Sequence, residues 1–280
     1  MSTKQERIDV FKDTYSRCKS DPLLRSSIEA SLEKTKVWYE NEYPSYSPGR
    51  YSSTRIQVIG KRSFQAAMDL KREYPDAKVA VLNFANAFHP GGGVKNGSSA
   101  QEESLCRTSI LYPVLESHDL MERYYCYHDR INDPKATDSL IYTEDVVIFK
   151  TDTDLPEMMA QSDWVKADVI TCAAPDLRPC GNAYVELVGN GASLSASAQF
   201  GYHVRRAIHI LTVAAASGAD CLVLGAFGCG AFRNDPEVVS RAWKTAVQEF
   251  EGVFQAIEFA VYCTPGYDEN YREFLKTFKR

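Results

Sequence analysis

The stretch KVAVLNFANAFHPGGGVKNGSSAQEES, residues 78–104, decides how the chain folds. Its first eight residues are almost continuously apolar, which predicts a strand covered on both faces, since a half-exposed strand would alternate. Gly91, Gly92 and Gly93 follow. Glycine lets a backbone visit positive φ and approach a ligand or another chain segment closely. Glu102 and Glu103 then open a predicted helix. Consecutive residues on a helix point about 100° apart, so the two acids do not face each other across a bond as in ordinary glycosidases; one can act on the bond while the other orients the substrate. They also suit a helix first turn, with Ser98 or Ser99 as its cap, because acids there meet the positive end of the helix dipole.

Outward from this segment the same alternation repeats. RIQVIG (55–60), DVVIFK (145–150), ADVITCAA (167–174), CLVLGAF (221–227) and AIEFAVYC (256–263) read as strands. Helices are predicted from Ser63 to about Tyr74, after the glycine loop, from Ser195 to Ser217, from Asp235 with Pro236 in its first turn, and near the end of the chain. In the long helix Val204, Ile208, Leu211 and Ala215 form the expected sheet-packing stripe. Apolar strands interleaved with helices imply an α/β fold with a largely parallel or mixed central sheet and helices on both faces. Ahead of it, Asp21 and Pro22 begin a second N-terminal helix with Leu24, Ile28 and Leu32 on one stripe, and Ile8, Phe11 and Tyr15 mark a first. The Pro-, Ser- and Tyr-rich stretch YENEYPSYSPGRYSS (39–53) is the best boundary, which gives a helical extension over 1–50 packed on an α/β domain over 51–280.

Ligands of such sheets bind beyond the carboxyl ends of the strands. Two glycine-bearing loops leave strands there: NFANAFHPGGGV (83–94) and GAFGCGAFRNDPE (225–237). Together they could hold both phosphates of a diphosphate through main-chain N–H groups. Neither a P-loop nor a dinucleotide-binding glycine fingerprint is present. With 280 residues, a net charge of −5 and no basic stripe, the chain does not read as a nucleic-acid-binding protein. No apolar run reaches membrane-spanning length and the N-terminus is charged, so a cytoplasmic protein is expected. Eight cysteines lack C-x-x-C spacing, which predicts reduced thiols and neither a metal site nor any other cofactor.

Taken together, GGGVKNGSSAQEE resembles the GGG…QEE signature of poly(ADP-ribose) glycohydrolases, and LGAFGCGAFRNDP is similar to the second, diphosphate-binding loop of that family and of macrodomains. NFANAFHPGGG resembles the macrodomain asparagine with its glycine loop. The resemblance spans about residues 55–265 and is closest to the compact microbial-type enzymes. It implies a macrodomain-like core that hydrolyses the ribose–ribose O-glycosidic bond of poly(ADP-ribose) and releases ADP-ribose without metal. Carried over, Glu103 is the acid that protonates the departing ribose oxygen and then activates water, and Glu102 and Asn86 hold the ribose. Gly91, Gly92, Gly93 and Val94 wrap the distal end of the ligand. Gly228, Cys229, Gly230 and Ala231 offer N–H groups to the diphosphate, Phe232 sets the angle of the distal ribose, and Gln101 supports the signature. A single positioned acid suffices on this reading, because the ligand's own diphosphate stabilises the positive charge that builds on the ribose ring.

The RIQVIG strand lacks the acidic residue with which many macrodomains bind adenine, and TCAAPDLRPCGNAY (171–184) and RYYCYHD (123–129) are the candidates for the adenosine end. His89 reads as a loop-structuring residue. The partners implied are poly(ADP-ribose) or ADP-ribosylated protein as substrate and ADP-ribose as product, with neither membrane nor nucleic acid, and the protein is expected to be a monomer. Two other functions remain open: a reader that binds ADP-ribose without cleaving it, which has no need of Gln-Glu-Glu, and a hydrolase of single ADP-ribose groups on protein or nucleic acid.

Overall fold

A computed structural model describes residues 2–178 and 194–279. Strands β1 (Lys36–Trp38), β2 (Arg55–Ile59), β3 (Val79–Ala85), β4 (Leu140–Ile148), β5 (Val165–Ala173), β6 (Cys221–Leu224) and β7 (Ala256–Ala260) form one sheet in the order β1-β4-β5-β3-β6-β7-β2. The five strands from β5 to β2 in this order run parallel, while β4 and β1 are added antiparallel at one edge. Period-two alternation sends Val79 and Val81 of β3 into one apolar cluster and Ala80 and Leu82 into the other, so both faces of the sheet are covered.

The cluster holding Val79 and Val81 is packed by helices α1 (Lys4–Ser20), α2 (Pro22–Lys34), α3 (Ser63–Glu73) and α4 (Gln101–Thr108), followed by short helical turns over 111–131. Helices α5 (Ala196–Ala216), α6 (Pro236–Gln248) and α7 (Glu269–Phe278) contribute to the other cluster. Local signals set several of these helices. Asp21 accepts from Leu23 N at 2.8 Å ahead of Pro22, Asp235 accepts from Glu237 N at 2.8 Å ahead of Pro236, and Ser195 accepts from Ala198 N at 3.2 Å.

The expected stripe of α5 is displaced. Val204 and Ile208 are only half-buried, and the buried side is centred on His203, Arg206, Ala207, Ile210 and Ala214. Polar groups occupy that side because remote partners satisfy them: Arg206 pairs with Asp138 at 2.9 Å, and His203 meets Asn234 Oδ1 at 2.9 Å. Helix α4 is likewise not capped by Ser98 or Ser99. Its cap is Ala100, with no side-chain hydrogen bond, because the helix begins at Gln101, later than a cap at Ser98 or Ser99 would place it. No helix among the described residues is long and apolar enough to cross a membrane.

Candidate active site

Every parallel strand delivers a side chain or loop at its carboxyl end to one cavity of about 820 Å³, within the size range of ligand pockets. Arg62 follows β2, Asn86 follows β3, Arg178 follows β5, Gly228, Gly230, Ala231 and Phe232 follow β6, and Tyr262 follows β7. The start of α4, with Gln101, Glu102 and Glu103, closes the same cavity, and Gly92 and Gly93 line it as well.

The first glycine loop turns on itself. Gly92 N–H donates to His89 O at 3.0 Å and Val94 N–H to Gly91 O at 3.1 Å, while Gly93 N–H donates to Glu103 Oε1 at 2.9 Å. These donors are therefore spent on the loop itself and on Glu103, and the expectation that both loops cradle phosphates is corrected. What the glycines allow is the approach of acids. A Cβ on Gly92, at φ +56°, would lie 2.7 Å from Glu103 Oε1 and 3.0 Å from Glu102 Oε2. The two carboxylates, divergent on an isolated helix, thus converge on one backbone position. Gly91 sits over Tyr112 and Cys106, and Val94 is fully buried in the core, so neither lines the cavity.

Glu102 is 3% exposed and accepts from Asn86 N–H at 2.8 Å and from Asn83 Nδ2 at 3.3 Å. Burial, reinforced by the charge of Glu103, holds its carboxyl well above the usual carboxylate range, against the pull of these hydrogen bonds. Glu103 is 7% exposed, and its Oε2 has no hydrogen-bond partner among the described residues. Gln101 is a staple: it accepts from Phe84 N at 2.9 Å and donates to Leu82 O at 2.7 Å, fixing α4 to β3. The Asn86 side-chain oxygen accepts from Phe88 N at 2.8 Å and His89 N at 2.9 Å, shaping the loop.

The second loop leaves main-chain donors open toward the cavity. Cys229 N–H is consumed by Ala226 O at 3.1 Å, which corrects its assignment as a phosphate donor, and its thiol packs toward the core. The N–H groups of Gly228, Gly230 and Ala231 have no partner among the described residues. Gly228, at φ +78°, leaves room for Ala174 and for Asn234, whose Nδ2 donates to Pro175 O at 2.7 Å and Gly228 O at 3.1 Å. Leu177 N–H donates to Phe232 O at 2.9 Å, and the Arg178 guanidinium, held by Asp176, lies 5.2 Å from the Phe232 ring.

Sequence reading missed Arg62, Tyr262 and Tyr267, which line the cavity but belong to no motif, and it reached Arg178 only as part of the stretch 171–184. The Arg62 guanidinium lies over the Tyr262 ring at 4.3 Å. Of the adenosine candidates, Tyr124 and Tyr125 are fully buried in the core and do not line the cavity. The stretch 171–184 brings Arg178 to the cavity, while its residues 179–184 lie outside the described residues. Among the described residues no three His, Cys, Asp or Glu side chains gather as metal ligands would.

A largely parallel α/β sheet whose carboxyl ends open on a cavity walled by a buried glutamate pair and a glycine loop with unpartnered main-chain N–H groups has the make-up of a hydrolase site. The microbial-type PARG catalytic-domain model matches residues 4–151, and the chain belongs to this family of poly(ADP-ribose) glycohydrolases. The match takes in the N-terminal helices as well as the Gln-Glu-Glu segment. The chain is similar to poly(ADP-ribose) glycohydrolase from Thermomonospora curvata, at 28% identity and a TM-score of 0.82, covering 98% of this chain and 100% of that one. The same values relate it to the T. curvata enzyme bound to the inhibitor ADP-HPD. It is also similar to the Deinococcus radiodurans enzyme in complex with ADP-ribose, at 30% identity and a TM-score of 0.74, covering 90% and 97% of the two chains. No curated protein matches.

Proposed function

We propose that the cavity takes the terminal ADP-ribose unit of poly(ADP-ribose) and that Glu103 cleaves the ribose–ribose bond behind it, releasing ADP-ribose. The observation that carries this reading is the buried, unpartnered Glu103 Oε2, held by the Gly93 N–H on its other oxygen and set in the wall of the cavity. A carboxyl fixed at one oxygen and unbonded at the other is placed to give a proton to a leaving ribose oxygen, then to take one from water. Glu102, tied to the Asn86 N–H, orients the ribose together with Asn86. Burial, with the charge of Glu103 beside it, holds the Glu102 carboxyl above its usual range, which suits a group that orients the ribose by hydrogen bonding.

The diphosphate lies on the N–H groups of Gly228, Gly230 and Ala231, where its charge stabilises the positive ribose ring of the transition state. Phe232, braced by Arg178, sets the distal ribose. The adenine stacks on Tyr262, whose ring already rests on Arg62. The core is of macrodomain type, and the unpaired thiols of all seven described cysteines fit a cytoplasmic protein.

The test is incubation, with and without EDTA, with poly(ADP-ribose), with mono-ADP-ribosylated serine and glutamate peptides and with ADP-ribosylated DNA. ADP-ribose release from the polymer, unaffected by EDTA, is expected. ADP-ribose binding with no release from any substrate makes the chain a reader, and release only from the peptides or DNA makes it a mono-ADP-ribose hydrolase.

A further inference from the structure

The N-terminal helix reaches the catalytic loop through a chain of contacts that begins at Arg7. Its Nε–H donates to Gly97 O at 2.7 Å, and its Nη1 donates to Ser2 O, so the guanidinium is fixed between the chain start and the loop. Gly97, at φ +71°, must be glycine for this approach: a Cβ would stand 2.5 Å from Lys4 O of α1. The next carbonyl, Ser98 O, accepts from Arg107 Nη1 at 2.6 Å, and the Arg107 carbonyl in turn accepts from Thr14 of α1 at 2.6 Å. Ser98 N–H and Asn96 N–H close back onto Gly93 O at 3.2 and 2.9 Å, and Gly93 N–H holds Glu103 Oε1. At the other end of the loop, Gly91 rests on Tyr112, whose ring packs edge-on against Phe11 of α1 with centroids 5.0 Å apart.

We infer that α1 is part of the catalytic apparatus and that Arg7 is a positioning residue, holding the Gly93–Ser98 turn so that Gly93 keeps Glu103 in place. The inference rests on the reading of Glu103 as the acid, and it gives a role to helices that carry no motif of their own. Arg7 touches no cavity-lining side chain in this chain of contacts and acts only through main chain. Its loss therefore shifts Glu103 and leaves the Gly228–Ala231 cradle alone. Rate is the quantity affected, and ADP-ribose affinity is not.

The experiment compares full-length wild type with Arg7→Ala and Arg7→Lys. Expected for Arg7→Ala is a fall of about tenfold in kcat on poly(ADP-ribose), with calorimetric ADP-ribose affinity within about twofold of wild type, because a sub-ångström shift of an acid costs rate before it costs ground-state binding. Added guanidinium ion restores part of the rate, and amide exchange speeds up at Gly93, Asn96 and Ser98. Unchanged kcat overturns the inference, as do equal losses of rate and affinity with a lowered melting temperature and no rescue by guanidinium. If Arg7→Ala does not fold, Arg7→Lys is judged by the same criteria, since it keeps the charge and stem but loses the Nε–H that Gly97 accepts. If wild type itself releases no ADP-ribose, the functional reading fails, and amide exchange alone decides whether Arg7 holds the turn: unaltered exchange at Gly93 in Arg7→Ala overturns it.

Discussion

Gly92→Ala tests the convergence of the two acids directly. The added Cβ would lie 2.7 Å from Glu103 Oε1 and 3.0 Å from Glu102 Oε2, where ordinary contact begins at 3.4 Å. The Glu103 oxygen must then retreat by roughly 0.7 Å and that of Glu102 by roughly 0.4 Å, in a site where misplacement of about 1 Å costs on the order of 10²-fold in rate. The same retreat stretches the 2.9 Å bond from Gly93 N–H, and alanine at φ +56° adds a backbone cost of about 1–2 kcal/mol. The expected variant folds with a melting temperature lower by a few degrees, cleaves polymer about 10²-fold more slowly, and keeps ADP-ribose affinity because the second loop is untouched. Gly230→Ala is the counterpart. Its Cβ meets nothing within 4 Å, so stability holds within about 0.5 kcal/mol, while the methyl group obstructs the cradle and weakens ADP-ribose binding. The assays are polymer cleavage, calorimetric titration with ADP-ribose and thermal melting. Wild-type cleavage by Gly92→Ala, or loss of affinity with intact rate in both variants, refutes the reasoning.

Glu103→Gln keeps size and hydrogen-bonding reach but has no proton to give, so cleavage falls by at least about 10²–10⁴-fold with ADP-ribose affinity little changed; wild-type turnover removes Glu103 as the acid. Glu102→Gln is expected to weaken substrate binding as well as rate, and a defect in rate alone argues against its part in holding the ribose. Phe232→Ala lowers turnover more than affinity, because the diphosphate is gripped by main chain while the ring, braced by Arg178, only sets the ribose; equal losses make the ring a simple binding contact. Burial pushes His203 from 6.5 down to about 4 and His128 likewise, so between these values the unfolded chain binds protons that the folded one refuses. Their contribution is complete above pH 6.5 and declines as pH falls toward 4, by up to about 3 kcal/mol each, partly offset by buried acids such as Asp152 and Asp168 whose raised carboxyls act in the opposite sense. His203→Gln should flatten the fall of melting temperature over this range, and an unchanged slope assigns the acid sensitivity to other groups.

The legible parts of the fold are those that local chemistry writes. Asp21-Pro22 and Asp235-Pro236 mark helix starts because the cap and the missing N–H act within three residues, and the apolar runs of β3 and β5 show that both their faces are covered. Strand β1 escapes notice because three residues carry no periodicity, and pairing with β4 alone makes them a strand. The reversed direction of β4 is written nowhere in its own residues. In α5, Arg206 and His203 look like solvent-facing positions until Asp138 and Asn234, each more than 30 residues away in sequence, come to meet them. The site divides in the same way. Glu102, Glu103 and both glycine loops are legible because each motif is contiguous, whereas Arg62, Arg178 and Tyr262 are ordinary residues that the sheet gathers from three separate strand ends.

The glycines of residues 91–93 differ in purpose from those of residues 228–230, although the two runs look alike in sequence. In the second loop the missing side chains leave main-chain donors open to an anion, the usual use of such loops. In the first, the donors are turned inward, and the missing Cβ of Gly92 admits two carboxylates that would otherwise be driven apart. Burying a pair of acids is costly, and a single helix start returns only about 0.3–1 kcal/mol, or up to about 2 in partly buried geometries. Main-chain support comes from the bonds of Asn86 N–H to Glu102 and of Gly93 N–H to Glu103, beside the Asn83 side chain of β3. Both main-chain donors lie in the segment between β3 and α4, so the loop that brings the acids together also stabilises their charge. Loop and glutamates therefore act as one unit, and the loop's own anchorage, through Gln101 to β3 and through Arg7 to α1, belongs to the chemistry as much as the carboxylates do.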